Sequence, residues 1–155
     1  MGYTHYFKEL VTDATFSPLV ADIVEVAGEH GIRVCGPMGD GEPVINEGNV
    51  ALNGDAGEGL DHESFVLPAE PLDWFNFCKT ARKPYDAVVV ATLILAIVNE
   101  QPGWESIASD GGWSDWVDPR GGYGEDVIGG VALYEETFGK LSNEEVAKVK
   151  NRIGE

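Results

Sequence analysis

Apolar and polar residues alternate with a period of two from Gly2 to Leu10. This places Tyr3, His5 and Phe7 on one face and Thr4, Tyr6 and Lys8 on the other. Such alternation, rich in aromatic and β-branched residues, predicts a strand. From Ser17 the period lengthens. Leu19, Val20, Ile23, Val24 and Ala27 form one stripe, predicting a helix over 17–30, with Ser17 as its N-cap, Pro18 at its first position and Gly31 past its end. Short apolar runs predict strands at Ile32–Cys35, Val44–Asn46, Asn49–Asn53, Ser64–Leu67 and Leu72–Cys78. Glycine, proline, Asn and Asp cluster between them, as turns require.

Residues 84–99 break the amphipathic rule. Ala87 to Val98 is almost wholly apolar, and its length exceeds the ~4–8 residues of an ordinary strand. Pro84 and Asp86 suit the first turn of a helix. With no polar face, such a helix must be covered on most sides. Trp104–Trp116, rich in Trp, Gly and Asp, predicts a short hairpin or loop packed on the sheet, and Pro119–Gly124 a loop. A helix follows over 125–138, weakened by Gly129-Gly130 at ~1 kcal/mol each against Ala. The last helix, 142–153, carries a capping box, Ser142 with Glu145, flanked by a Leu141–Val146 staple. The elements predict an α+β fold in one domain spanning 1–155. A central, mainly antiparallel sheet packs against four helices, with the helix at 84–99 central and buried.

Charge changes the picture next. The chain holds 27 acidic and 10 basic residues, a net charge of −17. Phosphates need basic partners, so this argues against binding bare nucleic acid over a broad surface. It suits a self-repelling surface, or one adapted to a salt-rich cytoplasm that screens such repulsion. No apolar run reaches the ~18 residues that span a bilayer, and no leader opens the chain, so the expected location is the cytoplasm and no membrane partner is expected. Cys35 and Cys78 form no CxxC pair and no disulfide framework.

Against that acidity, Lys79, Arg82 and Lys83 fall within five positions, just before the apolar helix. Basic side chains beside the unpaired N–H groups of a helix start make an anion receptor. Lys79, Thr80, Arg82, Tyr85 and Asp86 form one candidate cluster; the other use of its cations is an internal ion pair with Asp86, Glu63 or Asp55. A second cluster, Asn53, Asp55, His62 and Glu63, lies on a glycine-rich loop, where His62 and Glu63 are the candidate catalytic acid–base pair. The third is Ser109-Asp110-Gly111, in which Asp110 is a ligand candidate or an ordinary turn residue. Cys78 beside Lys79 offers a nucleophile with His62 as base, or a buried inert thiol. His5, His30 and His62 show no metal-ligand spacing with either cysteine, and the acidic loop lacks the alternating ligands of an EF-hand. The glycine-rich loops do not end in Gly-Lys-Ser/Thr, so neither is a P-loop. No metal is expected, and no cofactor is named.

Several of these residues recur as motifs in a fixed order. These are Met1-Gly2-Tyr3-Thr4-His5-Tyr6-Phe7, Asn53-Gly54-Asp55, His62-Glu63-Ser64-Phe65, Phe77-Cys78-Lys79-Thr80-Ala81-Arg82-Lys83-Pro84-Tyr85-Asp86 and Ser109-Asp110-Gly111. Over residues 1–111 the chain resembles a family of small proteins carried by prokaryotic viruses and some prokaryotic genomes. Phe7 stands where that pattern has Trp, and Ser64 where it has Thr. The resemblance implies an origin, with the host cytoplasm as location, and neither a mechanism nor a cofactor. Three function classes follow from the residues. The leading one is an accessory protein that binds a small anionic, nucleotide-like ligand through Lys79, Thr80 and Arg82, with Asn53, Asp55, His62, Glu63 and Tyr85 as polar contacts. The second is an enzyme on such a ligand, using His62 and Glu63. The third is a structural or virion-associated protein with a protein partner and no ligand.

Overall fold

The computed structural model of the chain describes residues 3–71, 76–118 and 127–155. Among these, the order is β1 (Thr4–Phe7), α1 (Phe16–Glu29), β2 (Val44–Asn46), β3 (Asn49–Leu52), β4 (Phe65–Pro68), β5 (Phe77–Lys79), α2 (Asp86–Val98), β6 (Ile107–Ser109), α3 (Trp113–Val117), α4 (Gly130–Phe138) and α5 (Asn143–Arg152). The fold is α+β, and every strand pair is antiparallel. The strands divide between two sheets of three, β5-β1-β6 and β2-β3-β4, rather than forming one. The second sheet is a local meander. The first is assembled from distant segments, with β1 in the middle.

One face of β1 is buried as the sequence predicts. Tyr3, His5 and Phe7 are all buried, but the opposite face is covered too: Thr4 is buried and Tyr6 half-buried, and exposure begins only at Lys8, past the strand. In the register, His5 lies opposite Cys78 on one side and Ser109 on the other. Residues directly opposite one another share a sheet face. The pairing therefore puts Cys78, His5 and Ser109 in one row on the buried side.

Helix α2 is the centre of the molecule. Every residue from Asp86 to Ile97 is buried, and α1, α4 and α5 all pack against it. Gly130 explains the glycine pair. Gly129 is the N-cap of α4 and Gly130 its first residue, so the glycines begin the helix rather than weaken its middle. A β-carbon on Gly130 would come within 2.2 Å of Val90 Cγ1 on α2. The helix expected over 125–138 thus starts at Gly130; residues 125–126 lie outside the described residues.

Other boundaries also move. Ser17 is not an N-cap. The cap position is Thr15, whose side chain makes no capping bond; Asp13 serves the helix start instead, its Oδ1 accepting from the Thr15 and Phe16 backbone N–H groups at 3.0 and 2.8 Å. Pro18 is tolerated because the first-turn N–H groups of a helix have no intrahelical acceptor. Ile32–Cys35 is no strand beyond a single bridge from Cys35 to Asn53, because the chain turns at Gly36, whose N–H bonds to Asp40 and Gly41. The segment 104–116 contributes an edge strand and then the short helix α3 in place of a hairpin. Of the strand expected at Leu72–Cys78, residues 72–75 lie outside the described residues, as does the loop 119–124. The capping box forms as expected, Glu145 N–H donating to Ser142 Oγ at 3.1 Å and Ser142 N–H to Glu145 Oε1 at 2.9 Å.

Two predictions follow from this packing. Gly130→Ala improves helix propensity by up to ~1 kcal/mol, but the clash with Val90 outweighs it. A net loss of about 1–3 kcal/mol in urea unfolding is expected. Asp13 is held below the ordinary carboxylate range, first by the Phe16 N–H, against the opposing effect of burial, and then by Gln101 and the Thr15 N–H. A carboxyl so lowered stabilises the fold above its unfolded pKa, and that contribution disappears as pH falls through the folded value. The stability gap between wild type and Asp13→Ala, about 1 kcal/mol at pH 7 for a helix cap, should therefore narrow as pH drops below about 4.

Candidate functional site: a buried Ser–His–Asp chain

The row set by the β1 register meets the start of α2. His5, fully buried, places Nε2 2.6 Å from Asp86 Oδ1 and Nδ1 2.8 Å from Ser109 Oγ. Thr80 Oγ1 donates to the same Asp86 oxygen at 2.6 Å. The carboxylate oxygen can only accept, so His5 Nε2 carries its proton and donates. The Gly111 N–H donates to Ser109 Oγ at 3.0 Å. With that lone pair engaged, the Ser109 hydroxyl proton is directed to His5 Nδ1. One unbroken line of hydrogen bonds runs from a buried carboxylate to a half-buried hydroxyl.

The surroundings are aromatic and tightly held. The Tyr3 ring meets His5 edge-on at 5.0 Å and the Trp116 ring does so at 6.0 Å. The Arg82 guanidinium lies 4.0 Å from the centre of the Tyr3 ring and donates to Asp115 Oδ1 at 2.9 Å. Burial first, then Asp86 and Asp115, push the Tyr3 phenol well above its usual range; Arg82 acts in the opposite sense. Ala81 and Arg82 are both left-handed, at φ 52° and 58°. Each such residue costs on the order of 1–2 kcal/mol, and strain of this kind gathers at functional sites.

The two sequence-predicted clusters around Lys79 separate here. Thr80, Arg82 and Asp86 belong to the His5 site. His62 and Glu63 converge instead on the backbone of Lys79: His62 Nδ1 donates to its carbonyl at 2.8 Å, and Glu63 Oε1 accepts from its N–H at 2.8 Å. They pin a loop to β5. Asn53 clamps the same loop, accepting from the Gly54 and His62 N–H groups and donating to the Pro37 and His62 carbonyls. Tyr85 donates to the Glu63 carbonyl at 2.6 Å. Asp55 caps a short turn at Gly57 and lies 3.8 Å from Arg33. Lys83 Nζ donates to the Gly59 carbonyl at 3.0 Å.

The expected anion receptor at the start of α2 is closed. The N–H groups of Asp86, Ala87 and Val88 already donate to Lys83, Pro84 and Tyr85. Arg82 forms an internal ion pair with Asp115 rather than with Asp86, Glu63 or Asp55. Asp110 accepts from the Thr4 N–H at 3.1 Å and from the Tyr6 hydroxyl at 3.1 Å, tying β6 to β1. Cys78 is fully buried, and burial raises its thiol far above neutral pH, so it stays protonated and inert. Among the described residues no group of three or more His, Cys, Asp or Glu side chains is arranged to hold a metal ion. No helix there is long and apolar enough to cross a membrane. A groove of about 430 Å³ between the start of α1 and β2 shares no residue with the site.

Comparison of the chain with protein-family models, curated proteins and solved structures finds no match in any of the three. The site therefore rests on its own chemistry. Taking a carboxylate out of water costs several kcal/mol, and the short bonds above must offset that. Removing one partner alone exposes the cost. His5→Ala is expected to lose about 3–5 kcal/mol in urea unfolding. A double-mutant cycle with Asp86→Ala should give a coupling above about 1 kcal/mol; additive losses would show that the two residues do not act as a pair.

Proposed function

We propose that the protein is a small hydrolase or acyl-transfer enzyme. Ser109 is its nucleophile, His5 its general base and Asp86 the group that fixes the imidazole. The observation that carries this reading is the continuous line Asp86–His5–Ser109, at 2.6 and 2.8 Å. A serine hydroxyl is a weak nucleophile until an adjacent base accepts its proton, and that base works best when a third group orients it. Here Nδ1 faces the serine and Nε2 the carboxylate. Either ring nitrogen serves, since each bears one lone pair or one proton in the neutral ring.

Local charge narrows the substrate. Arg82 contributes one positive charge, against the carboxyl groups of Asp86, Asp110 and Asp115. An ester or thioester that is uncharged at the reacting carbon suits this balance better than a phosphate does. A second reading keeps the small anionic, nucleotide-like ligand. It is supported by Arg82 itself, which among the described residues spends one of a guanidinium's five N–H donors on Asp115. In a viral setting such a protein would sequester or modify a host nucleotide in the host cytoplasm. The net charge of −17 would suit a salt-rich one, where screening is strong.

Ser109→Ala tests the enzyme. Wild type should label at Ser109 with a fluorophosphonate and hydrolyse p-nitrophenyl acetate. The variant should lose about 10³-fold or more of that rate while keeping its cooperative melt. Wild type that neither labels nor turns over, but binds inorganic phosphate through Arg82, would favour the anion receptor. A variant whose only change is a lower melting temperature would identify the hydrogen bonds as architecture, as in a virion component.

A further inference from the structure

A serine nucleophile needs a donor for the negative charge it creates on the substrate oxygen. The backbone N–H groups nearest Ser109 are committed elsewhere: Asp110 to Thr4, Gly111 to Ser109 itself, Gly112 to Asp115 and Trp113 to Glu155. The usual source of such a donor, paired backbone N–H groups, is therefore spent. Two side-chain donors beside His5 are not. The Tyr3 hydroxyl and the Trp116 indole N–H are both buried and, among the described residues, have no partner in hydrogen-bond geometry. Tyr3 is 4% exposed and Trp116 is fully buried.

Of the two, Tyr3 is placed for chemistry. Arg82 covers its ring face, and His5 meets its edge. A β-carbon on Gly111 would lie 2.1 Å from the phenol oxygen, so the hydroxyl occupies the space that any other residue at 111 would fill. Gly111 is also the residue whose N–H holds Ser109 Oγ at 3.0 Å. The phenol oxygen and the nucleophile thus adjoin the same glycine. A buried hydroxyl normally finds an acceptor within the protein; this one has no partner in full hydrogen-bond geometry among the described residues, and Ser109 is the side chain close enough to act on it as a hydrogen-bonding neighbour.

We infer that Tyr3 is the hydrogen-bond donor to the oxygen that becomes negative when Ser109 attacks an acyl group. This rests on the reading of Ser109 as nucleophile. In the step, the Ser109 proton passes to His5 Nδ1 and Oγ bonds to the acyl carbon. The carbonyl π pair moves onto oxygen, which accepts a hydrogen bond from the Tyr3 hydroxyl. Collapse re-forms the carbonyl and breaks the bond to the leaving group, which takes the proton from His5. Water then releases the acyl group from Ser109 by the same route. Tyr3 gives up no proton in this cycle, as suits a phenol that burial keeps protonated.

Tyr3→Phe in the full chain is the test, read beside Ser109→Ala. The burst of p-nitrophenol that reports acylation should slow about 10²-fold, the loss expected for one such donor, with KM little changed. The melting temperature should hold or rise, because Phe removes a buried hydroxyl without a partner in full hydrogen-bond geometry. An unchanged burst in Tyr3→Phe, with the burst abolished in Ser109→Ala, overturns the assignment of Tyr3 and leaves Ser109 standing. A lower melting temperature with an unchanged burst makes Tyr3 structural and also overturns it. Absence of any burst or fluorophosphonate labelling in wild type overturns the nucleophile, and Tyr3 with it.

Discussion

One buried imidazole joins three parts of the chain. Through His5, the middle strand of the first sheet is bonded to the start of the central helix and to the end of the edge strand β6. Asp110 adds a second tie between β1 and the end of β6, through the Tyr6 hydroxyl and the Thr4 N–H. The helix is apolar throughout and can pack in many rotations about its axis, since hydrophobic burial is not directional. Asp86 removes that freedom: its carboxylate must meet His5 and Thr80, which sets the azimuth of α2 against the sheet. A polar contact thus supplies orientation, and the apolar body of the helix supplies most of the driving force.

The same contact divides the basic turn. The Thr80 hydroxyl bonds Asp86, while Lys79, the last residue of β5, offers its peptide N–H and carbonyl to Glu63 and His62. Arg82 then swings over Tyr3, held by Asp115 from α3. The left-handed pair Ala81–Arg82 is the backbone cost of that arrangement.

Much of the fold was legible. The α+β class, the buried helix, the alternating face of β1 and the capping box of α5 all follow from periodicity and local chemistry. What was not legible depends on partners far away in sequence. Ser17 is a good cap in isolation, but Asp13, four residues earlier, brings a charged acceptor that reaches Thr15 and Phe16. The glycine pair before α4 reads as a weak helix until Val90 is seen beside it. At the site, Thr80, Arg82, Asp86 and Asp110 were singled out, and so was the segment containing Ser109. Locally, His5 and Tyr3 read only as inward strand residues of the Met1–Phe7 motif, His5 without metal-ligand spacing, and nothing near Asp115 marks it as a partner for Arg82. A signal existed for His5: alternation put it inward between two aromatic residues, where an imidazole must find partners. The sequence could not say which partners, because the register of β1 against β6 decides that.

The distances along the chain have a consequence for how the protein is made. His5 meets partners 81 and 104 positions downstream. A ribosome delivers the amino terminus first, so Tyr3 to Phe7 must wait, unpaired and rich in aromatic surface, until β5, α2 and β6 have emerged. Contacts this remote slow folding, because the intervening loop must close before they form. The local meander β2-β3-β4 is complete much earlier and offers a surface on which the rest collects. The candidate site is therefore among the last features to form, and a nascent chain cut short before Ile107 would contain its acid and its imidazole but not its hydroxyl.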